Sequence, residues 1–146
     1  MVDSNREAEL RDAVEALYFG YRAFTALPDQ ILTEYDLGRA HHRILYFVQR
    51  EPGISVGDLC AVLDVSKQAI NRPIRDLESI GLLTVDADVR DRRVRRLTTS
   101  AAGAELEARL TGSQLSLLAS VFAGVDPRAE AQWRDVMTRL AGADSE

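Results

Sequence analysis

Cysteine is almost absent from this chain. Cys60 stands alone among 146 residues, so no internal disulfide can form. It falls on an apolar stripe, where a lone thiol reads as a small core residue. Histidine is nearly as scarce: His41 and His42 adjoin each other with no cysteine nearby, a poor start for a zinc site. No apolar run approaches the roughly 20 residues that a membrane helix needs. The segment Met1 to Arg11 is too polar for a secretory signal, so the expected location is cytoplasmic, with no membrane partner. There is also no phosphate-binding glycine loop, no serine or cysteine paired with a base at a recognisable spacing, and no metal-ligand set. Neither catalysis nor a cofactor nor a resident metal is expected. Internal repeats and low-complexity tracts are missing too.

What is present suits one ordinary domain over residues 1–146, since 46% hydrophobic and 28% charged residues are enough to bury a core without staples. The charge is unevenly spread. From Ser66 to Arg96, eight cationic side chains (Lys67, Arg72, Arg75, Arg90, Arg92, Arg93, Arg95 and Arg96) face five carboxylates, a local +3 on a chain whose net charge is −5. A basic stripe confined to one segment of an acidic protein is the electrostatic footprint of a face that meets phosphates, which makes double-stranded DNA the leading partner.

The periodicities place that stripe. Leu10, Val14, Leu17, Tyr21 and Phe24 recur at steps of three and four and predict a leading helix that stops at Leu27-Pro28-Asp29, with a loop beyond. Ile44, Leu45, Phe47 and Val48 mark the inward side of a second helix over 39–50, closed by Pro52-Gly53. Ser55 and Asp58 form a capping pair for a short helix whose buried stripe is Val56, Leu59, Cys60 and Leu63. A tight turn at Asp64-Val65 leads to Ser66, the cap of the next helix, which ends at Gly81. Two short helices joined so closely are a helix-turn-helix. Ile70, Ile74 and Leu77 turn inward on the second, leaving Lys67, Gln68, Asn71, Arg72 and Arg75 in front, within reach of base edges or phosphates. Leu82 to Asp86 and Val94 to Thr99 read as a hairpin around an arginine-rich loop. Ser100 caps a long helix carrying Leu106, Leu110, Leu117 and Val121, and a last helix carries Trp133, Val136, Met137 and Leu140. The expected class is mainly α (α+β), a winged helix-turn-helix.

With the segments Leu59 to Arg72, Asp88 to Arg93 and Ser100 to Gly103 in hand, the chain resembles the multiple-antibiotic-resistance regulator (MarR) family of winged-helix transcription factors over nearly its whole length. The resemblance implies a homodimer held by terminal helices, here 6–27 and 100–142, around a DNA-binding core at 39–99. It implies a sequence-specific regulator, a repressor by preference, acting on a pseudo-palindromic operator. Carried over by position, Ser66, Lys67, Gln68, Asn71, Arg72 and Arg75 fall where the family contacts DNA from the recognition helix. Arg90, Arg92 and Arg93 match groove-facing positions of the wing, and Asp91 matches the acid that holds the wing arginine. Independently, Asn or Gln can bond adenine bidentately in the major groove, and arginine gains from the potential of a narrow minor groove.

Three positions depart from the family pattern: Pro73, which removes a helical amide donor and predicts a bend just behind Arg72; Asp64, where glycine is common at the turn; and Thr99, which replaces an apolar residue and predicts a less well anchored strand end. Tyr18, Tyr21, Arg22, His41, His42 and Tyr46 are candidates to line a pocket for a small aromatic or anionic effector, or else plain interface and surface residues. The thiol-sensing branch of the family uses a cysteine in the leading helix, and this chain has none before Cys60. The alternative to DNA binding is a winged-helix module that docks protein, which would favour an apolar or acidic recognition front.

Overall fold

A computed structural model describes residues 3–143. The leading helix α1 runs from Ser4 to Glu34, its first turn closed by the Asp3 carboxylate, which accepts the Arg6 amide at 2.8 Å. It passes through Pro28 instead of stopping there, so the predicted end and the loop beyond it are corrected. The proline removes the amide that would pair with the Phe24 carbonyl, a defect of about 3 kcal/mol in an isolated helix. Burial of Pro28 and Leu32 opposes that loss, and the Gln114 side chain donates to the freed Phe24 carbonyl at 3.5 Å. Tertiary packing overrides the local breaker here.

Helix α2 (Arg39–Arg50) follows, then a two-residue strand β1 (Ile54–Ser55), helix α3 (Val56–Leu63) and helix α4 (Lys67–Ser79). The Ser55 hydroxyl accepts the Asp58 amide at 3.0 Å and the Ser66 hydroxyl accepts the Ala69 amide at 3.1 Å, so both expected caps are in place. Asp64 makes the turn between α3 and α4 in the left-handed region at φ 54°. Helix α4 continues through Pro73 to Ser79, and Gly81, at φ +77°, reverses the chain into the hairpin.

Strands β2 (Leu83–Ala87) and β3 (Arg95–Thr99) form that hairpin. Strand β1, too short to leave a periodic signal, adds to the other edge, giving the antiparallel order β1-β3-β2 with Leu97 between Ile54 and Val85. Thr99 is held by pairing with Leu83 and by its hydroxyl, which donates to the Gln49 side chain, so this strand end is anchored by a polar contact in place of an apolar one. Helices α5 (Ala101–Phe122) and α6 (Pro127–Gly142) complete the order.

The core sits where α2, α3, α4, the sheet and the first half of α5 meet. Leu45, Val48, Leu59, Leu77, Leu97 and Leu110 are wholly buried there, each worth about 1.5–3 kcal/mol of transfer free energy. Cys60 belongs to this core. Gly103, in the first turn of α5, lies so close to the β2 entry that a Cβ added to it would stand 1.9 Å from the Leu82 carbonyl oxygen. Outside the core, Leu10, Val14, Leu17 and Tyr21 of α1 are exposed, and α6 has no buried residue, with Trp133, Val136 and Leu140 open to solvent.

Candidate nucleic-acid interface

Helix α4 presents the predicted front. Ile70, Ile74 and Leu77 anchor it in the core, and the same periodicity leaves Ser66, Lys67, Gln68, Arg72 and Arg75 exposed, with Asn71 half-buried among them. Asp76 on its flank bonds His41 Nε2 at 2.9 Å. Because His41 Nδ1 accepts the Gly38 amide at 2.9 Å, the neutral ring carries its proton on Nε2 and donates it to Asp76, which ties α2 to α4.

In the wing, the arginines separate into groups. Arg93 donates from Nε and Nη2 to the two oxygens of Asp91, at 3.1 and 3.2 Å. The hydrogen bond from Arg93 holds the Asp91 carboxyl below the usual carboxylate range. Asp88 is a second anchor. It accepts Arg96 Nε at 2.6 Å and the amides of Arg90 and Asp91 at 3.0 Å, and the Arg96 bond is the main reason its carboxyl also lies below the ordinary value. Arg96 Nη1 reaches on to the Gly53 carbonyl at 3.0 Å and so fastens the hairpin to the segment before β1. Arg95 Nη2 donates to Asn71 Oδ1 at 2.9 Å, joining wing to recognition helix. Arg90 and Arg92 are exposed. The anchoring by Asp88, Arg95 and Arg96 was missed by sequence reasoning. Alternation along β3 and the eight-residue spacing of Asp88 and Arg96 across the hairpin are the only local signals for it.

A second feature lies between α1, α2 and α5: a cavity of about 440 Å³ whose wall includes Tyr21, His42 and Tyr46 together with Phe24, Arg39, Arg43, Thr111 and Leu115. Arg43 Nη2 donates to the Tyr21 hydroxyl at 3.0 Å, and His42 Nε2 meets the Thr111 hydroxyl at 3.1 Å. Burial, then the neighbouring Arg43, pushes the His42 ring below its usual 6.5 and favours the neutral form. Arg39 is already committed to Asp29. Tyr18, Arg22 and His41, grouped with this pocket on sequence grounds, are not on its wall: Tyr18 packs on Phe19 and Arg22 lies over the Phe19 ring, while His41 faces Asp76. The turn of α1 that sets the still partly exposed Tyr21 against this wall points its neighbours elsewhere.

A polar-fronted second helix, a tight left-handed turn before it and a braced arginine hairpin after it define a winged helix-turn-helix protein. Residues 35–94 match the profile of the MarR family. The chain is 42% identical over 134 residues to the HTH-type transcriptional regulator PetP of Rhodobacter capsulatus, covering 92% of this chain and 81% of that protein. Among solved structures it is similar in fold to Streptococcus pneumoniae FabT in complex with DNA, with a TM-score of 0.81 at 15% identity over 91% of this chain and 95% of that one. It is likewise similar to S. aureus MepR in a DNA complex, with a TM-score of 0.74 at 15% identity over 89% and 96% of the two chains. The chain belongs to the MarR family, and it is a DNA-binding transcriptional regulator.

Proposed function

We propose that the protein represses transcription as a homodimer seated on a pseudo-palindromic operator in the cytoplasm, without catalytic chemistry. The observation that carries this reading is the concentration of exposed cations on two linked elements of a chain of net charge −5: Lys67, Arg72 and Arg75 on α4, Arg90, Arg92 and Arg93 on the wing, with the Arg95–Asn71 bond joining the two. In this reading each α4 enters a major groove and each wing the neighbouring minor groove, with half-sites about one helical turn (roughly 34–36 Å) apart. Phosphate contacts supply affinity and the α4 front supplies sequence preference.

The dimer is supported by the uncovered apolar stripe of α1 (Leu10, Val14, Leu17) and the unburied α6 (Trp133, Val136, Leu140), whose large apolar side chains recur at helical spacing yet stay exposed within one subunit. A cytoplasmic site of action is consistent with the lack, among the described residues, of any helix long and apolar enough to cross a membrane. The α4 front is neither apolar nor acidic, so nothing favours a protein-docking role over DNA. The test is selection from a random duplex library, followed by binding at graded salt. Recovery of a pseudo-palindrome, with affinity falling by about 0.9 log units per log unit of salt for each phosphate neutralised, is the expected result. A strictly monomeric protein that retains no duplex at low salt rejects the reading.

Release of DNA by a small aromatic or anionic effector is the second component. Its support is the cavity at Tyr21, His42 and Tyr46, where the Tyr21 hydroxyl and Arg43 present polar groups beside apolar walls. A panel of aromatic acids is expected to raise the thermal midpoint and weaken operator binding together, and a panel without either effect removes the effector from the scheme.

A further inference from the structure

We propose that Arg95 is a positioning residue that decides which base edge Asn71 reads. The proposal rests on the DNA-binding reading of the α4 front. Asn71 occupies the middle of that front, one turn from Lys67 and from Arg75, with Gln68 and Arg72 beside it. Arg95, the first residue of β3, reaches back to it, with Nη2 2.9 Å from the Asn71 carboxamide oxygen. A guanidinium has donors and no acceptor, so the amide has one chemically sensible orientation: oxygen toward the arginine, NH2 group turned away from it.

That orientation changes what the side chain can recognise. Bidentate pairing with adenine requires the amide oxygen to accept from the adenine N6 amino group while the amide nitrogen donates to N7. In this protein one of the two lone pairs of that oxygen already receives a charge-assisted bond, and the guanidinium seated there places positive charge and bulk where the adenine N6 amino group, itself a donor, would have to approach. The NH2 group remains, and two donors match the O6 and N7 acceptors of guanine, or O4 of thymine. The adenine preference expected from the bare sequence is thereby replaced by a preference for acceptor-rich edges.

The latch also links the two halves of the interface. Arg95 stands next to Arg96, which Asp88 and the Gly53 carbonyl hold in place, so the hairpin that meets the minor groove sets the Asn71 amide in the major groove. A shift of the wing that breaks the Arg95 bond returns the oxygen to the solvent-facing set of acceptors and restores adenine reading.

The experiment compares four full-length proteins, the parent, R95M, N71A and the double variant R95M/N71A, against a duplex set in which each base pair of the selected half-site is varied in turn. Arg95 and Asn71 both lie outside the core, so these truncations leave it intact. The parent is expected to favour guanine or thymine over adenine about fivefold or more at one position per half-site. R95M shifts that position toward adenine and leaves the other positions as they were. N71A and the double variant are flat there and indistinguishable from each other. The assignment is overturned if R95M lowers affinity by one common factor for every base, as loss of a phosphate contact does, or if its shift persists in the N71A background. A parent that binds well and whose base profile ignores R95M removes only the Arg95 assignment. A parent that binds no duplex removes the DNA-binding reading as well.

Discussion

Replacing Gly103 with alanine tests the packing of α5 against the hairpin, because two well-known effects then act in opposite directions. In an ordinary helix the change is favourable by about 1 kcal/mol, since glycine loses the most backbone entropy on folding. Here the new Cβ would meet the Leu82 carbonyl oxygen at 1.9 Å and its carbonyl carbon at 2.9 Å. Ordinary contact begins near 3.4 Å, so backbone must move by about 1.5 Å, and no flexible side chain is available to absorb it. The Leu82 carbonyl also accepts the Ser100 amide at 3.1 Å, and the Ser100 hydroxyl donates to the Gly81 carbonyl at 2.6 Å while capping Gly103. Overpacking costs about 1–3 kcal/mol, and loosening one or two of these hydrogen bonds adds about 1 kcal/mol each. Set against the propensity gain, the net is a loss of roughly 1–4 kcal/mol, or about 3–15 °C in thermal midpoint for a chain of this size. The assay is thermal unfolding at one fixed protein concentration, with Gly112→Ala as comparison. Gly112 lies in the same helix with nothing within 4 Å of its added Cβ, so that variant should be neutral or stabilised. If G103A melts at or above the parent temperature, the close approach of α5 to Leu82 is not how this fold is held.

The pH dependence of stability carries the mark of His42. Its ring titrates below 6.5 in the folded chain, so the unfolded chain binds more protons just below that value, and stability declines as pH falls through the window between the two states. A comparison of melting between about pH 7 and 5 should show a smaller decline in H42Q, and equal slopes would contradict the assignment. Asp88 behaves in the opposite range. Its folded value lies below 3.8, so its contribution is complete above 3.8 and is lost only as pH falls through the lower value; the wing stays anchored in mild acid. Asp88→Asn should weaken operator binding several-fold at neutral pH with little change in melting, and unchanged binding would show the anchor to be dispensable. Leu17→Glu, on the exposed stripe of α1, should convert the proposed homodimer to a monomer in sedimentation and abolish tight operator binding; a dimer that persists in the variant would place the interface elsewhere.

Local chemistry was legible where one segment decides the outcome. Ser55, Ser66 and Ser100 cap helices because a hydroxyl three residues before a free amide is a short-range relation, and the inward face of α4 follows from spacing alone. Legibility fails where distant segments decide. The helix over 4–34 survives Pro28 with help from Gln114, which bonds the Phe24 carbonyl from 90 positions further along the chain. Strand β1 exists because Leu97 pairs with Ile54. Periodicity reported that Leu10, Val14 and Leu17 share a face, yet it carries no information on whether this chain or a second one covers that face, and within the described chain it is uncovered. The pocket shows the same limit: Tyr21 and Arg22 are neighbours in sequence, and the rotation of α1 sends one to the cavity and the other to Phe19.

The wing arginines divide the work that a charge count would assign to all of them alike. Arg93 and Arg96 are neutralised in place by Asp91 and Asp88, and Arg95 is directed at Asn71, whereas no ion pair is formed by Arg90 or Arg92 among the described residues. A guanidinium already paired with a carboxylate displaces few counterions when it approaches a phosphate, because its field is largely cancelled before contact. An unpaired one displaces close to a full counterion. Arg90→Ala and Arg92→Ala should therefore each flatten the salt dependence of operator binding by about 0.9 in the log–log slope. Arg96→Ala should weaken binding while leaving the slope near the parent value, since what it removes is the orientation of the hairpin. Equal slope changes for all three would mean that the carboxylates release their arginines when DNA arrives, and that the braces seen in the free protein are not retained on the operator.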